Sequence, residues 1–222
     1  MARAPRQLLL PTPPTWGGRR AGAGRKRAPD RRPGVPHRVR PKHVAAHPVH
    51  VTLRAVDALR CLRAGRVFSN VRRALAASSR AEFRIIEFSV QNDHVHLIAE
   101  ATDGLTLSSG VRGLAIRLAR AVNHALDRRG QVWAERYHAR ALTTPRAVPH
   151  ALVYVLMNFR KHLHAVTGID PCSSAAWFTG WLTSAAAAVG PPPVAAAQTW
   201  LARIGWRRHG LIDLAEKPKS GH

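Results

Sequence analysis

Acidic residues are scarce in this chain: of 222 residues only 12 are Asp or Glu, against 35 Lys and Arg. The net charge is +23 at pH 7, and the pI is near 11.9. Such an imbalance excludes an ordinary near-neutral surface and calls for a polyanion partner, nucleic acid or an anionic membrane. Cysteine is equally sparse. Cys61 and Cys172 are the two in the chain, which excludes a disulfide-rich scaffold and a four-cysteine zinc site. No apolar run approaches the roughly 18 residues of a membrane helix. The alanine stretch of Ala185 to Val189 ends at Gly190-Pro191-Pro192-Pro193, and Leu8-Leu9-Leu10 is cut off by Pro11, Pro13 and Pro14, too short for a signal-peptide core. No GxxxxGK loop occurs, so nothing in the sequence marks a nucleotide as energy source. These absences lead to the expectation of a cytoplasmic, nucleoid-associated protein without membrane contact.

What is present suffices for a packed core. Hydrophobic residues make up 45% of the chain, and the length fits one domain with extensions. Residues 1–45 hold twelve basic residues and one acid, Asp30, among recurrent Pro and Gly. They read as a disordered basic arm, unable to bury enough apolar surface to order itself yet able to lie on phosphates. A globular pattern follows over 46–166. The alternation of Val49, Val51 and Leu53 with polar residues predicts a strand, and Val67, Val71 and Leu75 predict a helix over 66–77. Phe83 to Val90 and His94 to Glu100 flank the turn Gln91-Asn92-Asp93 as a hairpin. Leu107, Val111, Leu114, Leu118 and Val122 mark one face of a long helix over 105–129, with Gly130 as its stop. A fourth strand within 132–142 and a helix over 146–165 complete the order strand, helix, strand, strand, helix, strand, helix. That order predicts an α+β fold: a ferredoxin-like split βαβ core, an antiparallel sheet with helices on one side. Residues 167–222 read as a mostly helical C-terminal extension, with an Ala/Pro linker and a closing basic helix over 199–214.

Two short motifs carry the chemistry. In His94-Val95-His96 the strand period of two turns both imidazoles to one face and Val95 to the other. Two neutral imidazoles so placed can share a divalent cation. On an exposed strand such a pair is commonly incidental, but Val95, Leu97 and Ile98 mark a central strand, where it demands an explanation. In Tyr154-Val155-Leu156-Met157-Asn158, Tyr154 and Asn158 lie one helical turn apart on a shared face. A phenol oxygen can attack phosphorus when a metal polarises the phosphate, and an amide oxygen can complete the metal's ligands. The alternative is a core tyrosine packed on the sheet.

The segments NDHVHLIAE (92–100), GQVWAERYHAR (130–140) and YVLMNFRKH (154–162) together resemble the single-tyrosine, His-hydrophobe-His transposases of bacterial insertion sequences, the IS200-like family. The likeness is strongest to the REP-associated tyrosine transposases, whose last motif is Tyr-Ile-x-x-Asn-Pro. Here Phe159 stands in place of the proline. The resemblance covers about residues 46–165. It implies that Tyr154 attacks a phosphodiester of single-stranded or hairpin DNA, forming a 5′-phosphotyrosine and releasing a 3′-hydroxyl. It implies further that His94, His96 and Asn158 hold Mg²⁺ or Mn²⁺. It leaves monomer and homodimer both open, and it is compatible with a domesticated, non-catalytic nucleic-acid-binding regulator that keeps the fold. Arg136, Tyr137, His138 and Arg140 form a basic-aromatic patch before the tyrosine helix, suited to phosphate contact and base stacking. Arg112 and Arg117 on the long helix, and Arg207 and Arg208 near the C-terminus, are further expected DNA contacts.

Overall fold

The alternating valines and leucine of Val49–Arg54 form β1, whose buried and half-buried residues alternate strictly along its length. The computed structural model describes residues 40–162, 168–183 and 188–218. After β1 come α1 (Gly65–Ala76), β2 (Phe83–Val90), β3 (His94–Ala101), α2 (Gly104–Ala125), β4 (His138–Ala141), α3 (Ala147–Met157), α4 (Phe159–His162) and α5 (Trp200–Arg203). The four strands make one sheet in the order β2-β3-β1-β4, with every neighbouring pair antiparallel. This is the expected α+β, ferredoxin-like arrangement.

The strand period sorts the core into two layers. Val49, Val51, Leu53, Val95, Leu97 and Ala99 face α1 and α2 on one side of the sheet. Ile98 faces the other side, where α3 packs through Leu152, Val155 and Leu156. Helices therefore cover both faces rather than one, because α3 carries apolar residues nearly all round and is buried between the sheet and the C-terminal segment. A bulge between Ile85 and Glu87 resets the phase of β2. The extra residue, Ile86, joins the α3 layer while Ile85 and Phe88 stay in the other.

Other boundaries also shift. The long helix α2 starts on an Asp103 cap, which accepts from the Thr106 amide at 2.8 Å. It ends at Ala125, short of the expected stop, because Asp127 turns left-handed at φ 45° before Gly130 does so at φ 107°. The fourth strand is only four residues long. Helix α3 begins as expected, and Asn158 keeps right-handed helical dihedrals between α3 and α4. In place of proline, the Phe159 ring fills the α3 layer. The remainder of that expected helix, 163–167, lies outside the described residues.

The C-terminal extension is not mostly helical. Among its described residues are the four-residue α5 and two short 3₁₀ turns, Ala175–Trp177 and Gly205–His209. The expected closing helix is interrupted after α5 and ends at Gly210, which has φ +90°. The backbone of the extension instead finds partners on the outer edge of β2. The Val90 amide donates to Cys172 at 2.8 Å, the Ser174 amide to Phe88 at 3.0 Å, and the Ala195 amide to Ile85 at 2.8 Å. Three carboxylates anchor it. Arg63 grips the buried Asp170 in a two-pronged pair, 2.9 and 2.7 Å. Glu100, fully buried, accepts from Arg84 Nε, the Gln198 and Thr199 amides and the Thr199 hydroxyl. The Ser174 hydroxyl bonds Glu87.

Residues 1–39 of the expected arm lie outside the described residues. Its last part, 40–45, is held against the domain: Arg40 donates to the Tyr137 carbonyl at 2.6 Å, and His43 bonds the Ala101 carbonyl at 2.9 Å. No helix among the described residues is long and apolar enough to cross a membrane.

Candidate functional site

Strand β3 presents His94 and His96 on the α3 side of the sheet, with ring centroids 4.6 Å apart and planes nearly perpendicular at 81°. Pairing with β1 sets Thr52 opposite His96. Thr52 Oγ1 lies 3.1 Å from His96 Nδ1, and His50 Nε2 lies 3.3 Å from the same nitrogen. At the strand's entry, His94 Nδ1 bonds Asp93 Oδ1 at 2.6 Å. Burial works to raise the Asp93 carboxyl, but the hydrogen bond and charge of His94, helped by Arg54, hold it below its ordinary range. Both imidazoles are thus oriented through Nδ1.

Helix α3 crosses this face and brings Tyr154 down on it. The phenol ring stands 5.1 Å from the His96 ring and 5.5 Å from that of His50, edge-on to both. Burial pushes the Tyr154 hydroxyl above its ordinary value, so it is a neutral phenol at physiological pH. A cleft of about 440 Å³ opens beside it, lined by His50, Thr52, His96, His138, Arg140 and His150 among others, with no carboxylate among the described residues of its lining. The site suits an anionic ligand brought up to a tyrosine and a histidine pair. Asn158, one turn beyond Tyr154, is buried at 1% exposure, and its side-chain oxygen has no hydrogen-bond partner among the described residues. A buried amide oxygen left so is costly unless it serves a ligand.

The remaining expected residues divide. His138 and Arg140 project from β4 into the cleft. Tyr137 packs on the α1/α2 core and carries Arg40 on its ring, the guanidinium carbon 3.6 Å from the centroid. Arg136 lies beside it, half-buried, just ahead of β4. Arg112 and Arg117 ride on α2, which covers the opposite face of the sheet, and are not brought together with Tyr154. Arg207 and Arg208 sit in the 3₁₀ turn of the extension, over the rings of Trp206 and Trp200 at 4.9 and 5.0 Å. His50, Thr52, His150 and Arg40 belong to the site's surroundings although sequence reasoning did not single them out. His50 and Thr52 were visible only as the polar half of an alternating strand, because their partner is fixed by register with β3.

Comparison with known proteins bears on the family and the fold. The sequence profile of the IS200-like transposases matches residues 49–155, from the start of β1 to just past Tyr154. A solved structure of a REP-associated tyrosine transposase bound to a REP hairpin superposes with a TM-score of 0.51 at 20% identity, covering 62% of this chain and 81% of that one. A Deinococcus radiodurans R1 protein assigned to the transposases gives a TM-score of 0.36 at 17% identity, over 61% of this chain and all of that one. No curated protein matches the chain. Residues 49–155, a little under half of the chain, are thus similar in sequence to the IS200-like transposases.

Proposed function

We propose that this protein is a DNA transposase that cleaves and rejoins single-stranded DNA through a tyrosine, with Tyr154 as nucleophile. The observation that carries the reading is the contact of Tyr154 with His96, beside His94, in a cleft lined by histidines and an arginine. The Tyr154 oxygen attacks the scissile phosphorus, the bond to the 3′-oxygen breaks, and the strand ends as a 5′-phosphotyrosine and a 3′-hydroxyl. The phenol proton is balanced by the proton the departing 3′-oxygen takes up. Attack by a 3′-hydroxyl on the phosphotyrosine reverses the step, so the bond energy is conserved and no nucleotide is consumed.

The residues fit a divalent cation, Mg²⁺ or Mn²⁺. Among the described residues no three His, Cys, Asp or Glu side chains are arranged to hold a metal. A neutral oxygen can serve as a third protein ligand beside His94 and His96, and the side-chain oxygen of Asn158, without a partner among the described residues, supplies one. Asp93 and Thr52 hold the Nδ1 atoms, which makes Nε2 the metal-side nitrogen of each ring. When bound, the cation neutralises the scissile phosphate and favours attack on it. Arg140 and His138 bind the DNA backbone at the cleft mouth, with Arg136 and Tyr137 next to them. Arg112, Arg117, Arg207 and Arg208 contribute long-range attraction, consistent with the +23 charge. The hairpin held by the REP-associated relative suggests single-stranded or hairpin DNA as the partner.

The test is a denaturing gel of protein with labelled single-stranded DNA covering the flanks of its own gene, with Mn²⁺ or EDTA, for wild type and Tyr154→Phe. A shifted band that needs both the metal and Tyr154 is expected. An undiminished adduct in Tyr154→Phe would remove Tyr154 as nucleophile. Tight, EDTA-insensitive binding to those flanks without cleavage would replace the enzyme with a non-catalytic regulator.

A further inference from the structure

A second groove, of about 770 Å³, lies against β4 and shares Ala139 and Arg140 with the cleft at Tyr154. The two therefore flank the edge strand, whose four residues are all exposed. The groove is bounded by residues 40–43, which precede the family-matched region, by the start of α2, and by β4. Its size is that of a small-ligand site and its lining mixes apolar surface with cations.

The unusual element is Arg40. Its guanidinium is stacked on the Tyr137 ring and tied to the Tyr137 carbonyl at 2.6 Å, so the plane is fixed before any ligand arrives. Tyr137 is in turn seated on the core. Arg63 and Arg84 by contrast pair with Asp170 and Glu100, whereas Arg40 has no carboxylate partner among the described residues. Holding a cation still, half-buried and without a counter-charge, is unfavourable unless a ligand uses it. Leu105, 83% exposed in the first turn of α2, adds an apolar surface to the same groove. Asp103 lies at that end, its oxygens engaged by Thr106, and repels a phosphate there. Lys42 and Arg140 attract one elsewhere in the groove.

We infer that this groove is a nucleotide subsite for the single strand that runs over β4 from the Tyr154 cleft. One base stacks on the face of the Arg40 guanidinium turned away from Tyr137 and against Leu105, and its phosphate lies toward Lys42 and Arg140. Unstacked bases of single strands are recognised on arginine planes in this way. The inference rests on the DNA-binding reading above but not on the chemistry at Tyr154.

The probe is a fluorescein-labelled twenty-nucleotide oligo(dT), titrated by anisotropy at several salt concentrations against wild type, Arg40→Ala, Arg40→Lys and Leu105→Asp in the full chain. Arg40→Ala should weaken binding on the order of tenfold, the scale of losing one stacked base. Arg40→Lys, which keeps the charge and hence the salt slope, should recover only part of that loss, because the plane is gone. Leu105→Asp, at an exposed position that the fold does not need, should weaken binding severalfold. Ultraviolet crosslinking with 4-thiothymidine in place of one dT should label the peptides holding Tyr137 or Leu105. Full affinity in Arg40→Lys, or no loss in Arg40→Ala and Leu105→Asp, overturns the subsite. So does a change in oligomeric state alone by light scattering, which would make the β4 edge a protein interface. Arg40-dependent binding without any adduct on any DNA would leave the subsite standing and remove the transesterase, while an adduct with Arg40 irrelevant would do the reverse.

Discussion

Thr52 on β1 stands opposite His96 on β3, its hydroxyl oxygen 3.1 Å from His96 Nδ1. That contact holds the His96 ring by its Nδ1 edge. The same register places His50 on the same nitrogen, so one strand pairing orients a candidate metal ligand and frames the ring of Tyr154.

Replacing Thr52 by valine keeps the shape and removes the acceptor. Mn²⁺ affinity, read by electron paramagnetic resonance, should fall on the order of tenfold to a hundredfold, the usual effect of losing an outer-shell partner. Thr52→Ser should restore it. Equal Mn²⁺ affinity in wild type and Thr52→Val would mean that His96 is not a ligand through Nε2.

Tyr154→Phe keeps the ring that packs edge-on to His96 and His50. Thermal stability and DNA affinity should therefore be unchanged while the covalent adduct disappears. Loss of DNA binding in this variant would show that the hydroxyl holds substrate rather than attacking it.

The extension should respond to pH through Glu87. Burial raises this carboxyl to about 8, against the pull of the Ser174 hydroxyl. A raised acid is neutral in the folded chain where the unfolded chain is already ionised. Stability is therefore fullest below the ordinary glutamate value and declines as pH rises to about 8. Glu87→Gln keeps a neutral partner for Ser174 and should flatten that decline in urea titrations at pH 5, 7 and 9. Parallel pH profiles for the two proteins would show that Glu87 is not buried neutral.

Asp170→Asn should be among the most damaging single changes outside the cleft. It leaves the largely buried Arg63 without its two-pronged partner, at a cost of about 3 kcal/mol in chemical denaturation. Because Arg63 also donates to the Val90 carbonyl at the end of β2, loosening should appear first as faster amide exchange at Val90, whose own amide bonds Cys172.

Much of this protein could be read directly from its residues. Val49, Val51 and Leu53, and the stripe from Leu107 to Val122, declare β1 and α2 because side-chain periodicity is local. The positions of His94, His96 and Tyr154 are likewise local facts of spacing. The end of α2 is not legible in the sequence because a left-handed Asp127 leaves no apolar-period signal. The extension is not legible because its order comes from pairing with the β2 edge and from Glu100, Glu87 and Arg63, partners far away in the chain. Composition alone determined the strong positive charge and the need for a polyanion. Only the tertiary structure decided that α3 lies on the opposite face from α1 and α2, that Thr52 and His50 meet His96, and that Arg40 is stacked beside the cleft. Those relations depend on strand register and layer packing, which join residues that no local pattern connects.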